Sequence, residues 1–129
     1  MPLLLCYTTN IRMDRFVNKD VGLEGEGMDE KLEKVLPEVT KPSRYLGNEW
    51  NAVHKDHRQV EVKVALGFPD VYEVGMSHLG LHILYYEINR REDAVAERVF
   101  APWTDMEELM RERDLPLYAL ESRRPVREF

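Results

Sequence analysis

Apolar and polar positions change period from one segment of the chain to the next, and each change predicts an element. Residues 1–27 keep no sustained period of 2 or 3.6. From Asp29 to Val39, charged residues alternate with Leu32, Val35 and Leu36, whose 3–4 spacing predicts a short helix that Pro37 ends or caps. Lys41 to Trp50 reads as an extended arm closing in a Gly47-Asn48 turn. Gln59 to Leu66 alternates strictly. Val60, Val62, Val64 and Leu66 share one face, and Glu61, Lys63 and Ala65 the other, so the start of this strand has a wet face.

A helix follows from Ser77 to Arg90, with Ser77 as its expected cap and Leu81, Leu84, Tyr85 and Ile88 as its packing stripe. Ala96 to Ala101 predicts a second strand stopped by Pro102. Thr104-Asp105-Met106-Glu107 has the spacing of a capping box that opens a helix to about Arg113. Leu117 to Leu120 reads as a short third strand. The order β-α-β-α-β predicts an α/β parallel sheet with right-handed crossovers. Three parallel strands are few, and the last, or its missing neighbour, would leave an unpaired edge open to self-association. Three regions result: a leader at 1–27, a helix and arm at 28–58, and an α/β region at 59–129.

The 129 residues suit one domain with a real core. A formal net charge of −6 disfavours direct nucleic-acid binding, which needs clustered positive charge. Cys6 is the only cysteine, so no intrachain disulfide forms, and a reducing, cytoplasmic setting is the simpler reading. No apolar run has the length of a membrane span.

The leader carries Glu24-Gly25-Glu26-Gly27 just before Met28. Glycine and glutamate codons begin GG and GA, so this run implies purine-rich RNA, as a translated bacterial ribosome-binding site would. Met28 then reads as the natural start. The alternative is a flexible Gly/Glu linker after a short N-terminal arm.

The stretch Gly67-Phe68-Pro69-Asp70-Val71-Tyr72-Glu73-Val74-Gly75-Met76-Ser77-His78-Leu79-Gly80-Leu81 joins the first predicted strand to its helix. Such a strand–loop–helix turn lies at the carboxyl end of a strand, where α/β sheets bind ligands. With Lys41-Pro42-Ser43-Arg44-Tyr45-Leu46-Gly47, Arg98-Val99-Phe100-Ala101-Pro102-Trp103 and Leu120-Glu121-Ser122, it makes four motifs in order. From about Lys41 to Phe129 the chain resembles the N-terminal region of radical S-adenosylmethionine proteins that carry a cobalamin-binding domain.

The resemblance implies a partial Rossmann-like, cobalamin-binding-type three-layer domain with a short parallel sheet and an N-terminal extended arm. It also implies, for the parent, a C-terminal barrel with an iron–sulfur cluster and S-adenosylmethionine. With one cysteine this chain cannot hold the cluster, and no cofactor is expected in it. The expectation is a fragment, inert alone, whose partner is that missing barrel. The alternative is a cofactor-free α/β module that docks on a partner chain.

Under the resemblance, the cofactor-binding candidates are Asp70, Tyr72, Gly75, Ser77, His78 and Gly80. The cobalamin motif Asp-x-His-x-x-Gly fails here, because Met76 stands where Asp should be and Gly80 follows His78 too closely. The glycines would then permit close backbone approach, and the helix start near Ser77 would face a phosphate. The plainer alternative gives both glycines to turn and packing. The pairs His78/His82 and His54/His57 have chelating spacing but no supporting cysteine, so no metal site is expected. Asp70, Tyr72 and Glu73 suit acid–base work or turn capping. Arg123, Arg124 and Arg127 form a small basic tail, and Trp50 and Trp103 read as anchors on the core.

Overall fold

The computed structural model describes residues 3–6 and 27–129. Three parallel strands, β1 (Leu3–Cys6), β2 (Val62–Phe68) and β3 (Ala94–Phe100), lie in the order β1-β2-β3. The helices are α1 (Met28–Val35), α2 (Tyr72–Met76), α3 (Leu79–Asn89) and α4 (Thr104–Glu112). The chain is thus α/β, as its pattern predicts.

Helix α1 forms where expected. Leu32 and Val35 are fully buried, and Pro37 sits in a 3-10 turn, Leu36–Glu38, that ends the element. The predicted arm begins instead with a 3-10 turn, Pro42–Tyr45. Proline at its first position pre-sets φ for that turn. Gly47 turns the chain at φ +71, and a Cβ there would meet the Leu120 carbonyl oxygen.

The alternation of β2 separates two cores. Val64 and Leu66 face Ala96 of β3 and the stripe Leu81 and Tyr85 of α3. Ala65 and Val99 face the opposite core with Leu32, Val35, Met106, Met110 and Leu117. Helices therefore cover both faces of the sheet. Glu61 is exposed and Lys63 half-buried, which matches the wet face expected at the start of this strand, while Val62, on the face expected to be apolar, is also 37 % exposed.

Two expectations about strands need correction. The pattern predicts no strand before Gln59, yet the backbone of Leu3–Cys6 pairs with β2 from Leu3↔Val64 to Cys6↔Gly67. Four apolar residues are too few to reveal a period. Apart from these and Gly27, the leader expected at 1–27 lies outside the described residues. Leu117 to Leu120, conversely, builds no ladder. Tyr118 makes one isolated antiparallel bridge to Pro125, and Leu120 N–H donates to the Arg98 carbonyl. Arg123, at φ +57, reverses the chain and returns its N–H to the Ala119 carbonyl before a strand can extend.

Candidate functional site

The turn after β2 is more ordered than its sequence suggests. Residues Tyr72–Met76 wind into α2, and Gly75 lies inside it rather than at an open loop. A Cβ on Gly75 would run into the Phe100 ring at Cε1 and stand 3.2 Å from Phe68 Cδ1. Phe68 and Phe100 end neighbouring strands, so the two rings fill the space above the sheet where a ligand would approach. At Gly80 the Cβ direction is taken by the His78 ring, 3.0 Å away. Both glycines therefore face their own chain, as the packing alternative holds.

Ser77 does not cap α3. It ends α2, donating its hydroxyl to the Glu73 carbonyl at 2.7 Å. His78 takes the cap, its Nδ1 accepting from Leu81 N–H at 3.3 Å. His82, one turn on, contacts the Met76 carbonyl at 2.6 Å through Nε2. The turn from α2 into α3 is thus fixed by imidazoles, which an extended capping register hid from the Ser-based reading. The second predicted cap fails likewise: Trp103 precedes α4 without a side-chain cap bond, and Glu107 pairs with Arg111.

The acidic candidates all have structural partners. Asp70 Oδ1 accepts the Val71 N–H at 2.7 Å. The Glu73 carboxylate receives Arg44 Nε at 2.9 Å and Lys41 Nζ at 3.3 Å, and the Arg44 hydrogen bond holds it below the ordinary carboxylate range. Tyr72 packs edge-on against Phe100, and burial, with a hydrogen bond to Glu49, pushes its hydroxyl up to about 12. A phenol so raised is a poor general base at neutral pH.

Sequence reasoning passed over the most buried polar groups. Arg98, in mid β3, is fully buried. Its Nε donates to Glu121 Oε1 at 2.6 Å, its other nitrogens reach Met76 Sδ and Glu49 Oε2 at 3.4 Å, and its guanidinium lies 4.4 Å over the Tyr85 ring. On the opposite face, Glu97 is 1 % exposed. It meets His57 Nε2 at 2.5 Å and accepts the Ser122 N–H at 3.1 Å. The available signal was two adjacent charges inside an otherwise apolar strand.

A cavity of about 30 Å³ lies beside Arg98, lined by Arg44, Tyr45, Tyr72, Phe100, Met106 and Tyr118 among others. Such a volume holds one or two waters and no organic cofactor. Among the described residues no group of three or more His, Cys, Asp or Glu side chains gathers as a metal site. One cysteine cannot supply the thiolates of a radical-type cluster, and neither glycine offers a corrinoid a backbone cradle. The residues present do not fit either group.

The remaining candidates are structural or exposed. Arg123 pairs with Asp29 at 2.9 Å and Arg124 with Glu128 at 3.2 Å, so these two arginines of the basic tail tie the end of the chain down. The tryptophans do not anchor the core: Trp50 is wholly exposed, and Trp103, 47 % exposed, stacks under Arg44 at 5.2 Å. No helix of the described residues is long and apolar enough to cross a membrane.

Residues 80–129 match the family model for the N-terminal region of radical SAM proteins. The match takes in α3, β3, α4 and the closing tail, with Arg98, Glu97 and Glu121 inside it. No curated protein and no solved structure matches the chain.

Proposed function

We propose that this chain is the N-terminal domain of a radical S-adenosylmethionine iron–sulfur protein, cobalamin-type in its fold and inert by itself. The family match over residues 80–129 carries the reading. The strand–turn–helix at the carboxyl end of β2 supports the cobalamin-type assignment. Cluster chemistry and S-adenosylmethionine belong, on this reading, to a barrel outside these residues, in the same gene product or a neighbouring chain. What this chain contributes is a rigid wall: Phe68 and Phe100 close the mouth of the sheet over Gly75, and Arg98 locks the arm, tail and α3 to β3.

A second reading has its own observation. Leu79, Ile83 and Tyr86 form a stripe along the outer side of α3, 72 %, 52 % and 64 % exposed. That stripe favours a cofactor-free module that docks on another chain.

Anaerobic reconstitution with iron and sulfide, followed by S-adenosylmethionine and hydroxocobalamin, tests the first reading. The chain should develop no charge-transfer absorbance, cleave no S-adenosylmethionine and leave the corrinoid spectrum unchanged. A stoichiometric cluster that cleaves S-adenosylmethionine would overturn it.

A further inference from the structure

Asn89 and Ala96 make two hydrogen bonds at the edge of β3. The Asn89 side-chain amide donates to the Ala96 carbonyl at 2.9 Å, and its oxygen accepts the Ala96 N–H at 3.0 Å. An amide side chain thus supplies both bonds that a neighbouring strand would make to that residue. Backbone groups along a strand point alternately to its two sides. Asp93, just before β3, turns its carbonyl to β2, where Glu61 and Val62 donate to it. The even-numbered residues of β3 therefore face outward.

Those outward groups are occupied in sequence. Lys55 Nζ reaches the Ala94 carbonyl at 2.8 Å. Asn89 takes both groups of Ala96. At Arg98, the N–H goes to Glu121 Oε2 at 2.8 Å and the carbonyl receives Leu120 N–H at 2.8 Å. Side chains from the arm, α3 and the tail, with one backbone N–H of the tail, replace a strand residue by residue. An apolar, unprotected β3 edge would otherwise be a template for pairing.

We propose that Asn89 seals β3 as the closed edge of this sheet against strand addition by a second copy of the chain, on the side of the sheet opposite β1. Asn89 is the critical group because it alone satisfies a donor and an acceptor with one side chain at the middle of the outward row. Lys55 offers donors only, and Glu121 acceptors only.

The test compares the full chain with Asn89→Ala by light scattering and sedimentation over a range of protein concentrations. Far-UV circular dichroism checks that the fold is kept. The variant should gain a concentration-dependent mass that rises toward twice that of the unaltered chain, and its Ala96 amide should exchange fast only when dilute. Adding Ala96→Pro to it removes the outward N–H and should restore the original mass, which places the new contact on β3. Asn89→Asp, which keeps the acceptor and loses the donor, should associate to a lesser degree. A folded Asn89→Ala with the mass of the unaltered chain at every concentration overturns the proposal, because Asn89 then serves only to fix the turn between α3 and β3. Association that survives Ala96→Pro overturns it as well.

Discussion

Arg98 and Glu121 bind each other twice. The guanidinium Nε donates to Oε1 at 2.6 Å, while the backbone N–H of the same arginine donates to Oε2 at 2.8 Å. Both side chains are sealed from solvent. One carboxylate from the tail thus neutralises a buried cation and completes a strand edge. Burial works against it, pushing the Glu121 carboxyl above its ordinary range even with Arg98 beside it. We take the pair as ionised at neutral pH, because a fully buried guanidinium needs a counter-charge.

Removing one partner strands the other. Arg98→Ala should cost about 3–5 kcal/mol in urea unfolding, since Glu121 is then a buried charge without its cation. Arg98→Met with Glu121→Leu should cost clearly less than Arg98→Ala, because no charge is left uncompensated. Equal losses in the two would mean that the cost is packing rather than charge.

Acid should unfold the chain through its surface arm rather than through this pair. Hydrogen bonds from Arg58 hold Asp56 down to about 2, and the Thr40 N–H, 2.8 Å from Oδ2, holds Asp105 below its ordinary value of 3.8. A carboxylate lowered in the folded state contributes stability above its unfolded pKa and loses it as pH falls through the folded one. Stability should therefore drop as pH falls from about 4 toward 2. Glu121 has the opposite sign: its raised pKa favours folding when protonated and weakens it as pH rises through that value. Urea midpoints measured against pH check both. Asp105→Asn, which keeps an acceptor for Thr40, should flatten the acid limb.

The two glycines of the turn should differ in their tolerance of a side chain. Gly75→Ala pushes a methyl group into the Phe100 ring and should cost about 1–3 kcal/mol. Gly80→Ala meets only the edge of the His78 ring, which must shift by a few tenths of an ångström while keeping its cap to Leu81, and it gains helix propensity, so it should cost less than Gly75→Ala. Thermal unfolding of both variants decides the order.

Elements with long periods were legible in the sequence. The 3–4 spacing of Leu81, Leu84, Tyr85 and Ile88 predicted α3, and the alternation through Val64 and Leu66 predicted most of β2. Local chemistry was less legible. Ser77 and Thr104 have the right residue types for caps, but His78 and the unassisted Trp103 stand at the helix starts because turn geometry, not residue preference, sets where each helix begins. The buried charges escaped because Glu97 and Arg98 find their partners 20 to 50 residues away, at Glu121, Ser122, His57 and Glu49, and no local pattern carries such pairings. The turn itself, at the end of β2, was legible as a break between a strand pattern and a helix pattern. What fills it, the two phenylalanine rings, could not be read from a glycine count.

The central claim is that these residues are the N-terminal domain of a radical S-adenosylmethionine protein. Reading the coding DNA beyond the Phe129 codon tests it most directly. The account predicts, in the same or a shifted frame, a further apolar strand and then a barrel with three clustered cysteines. Continuous sequence in every frame without such a cluster, or an unrelated gene directly after, would contradict it.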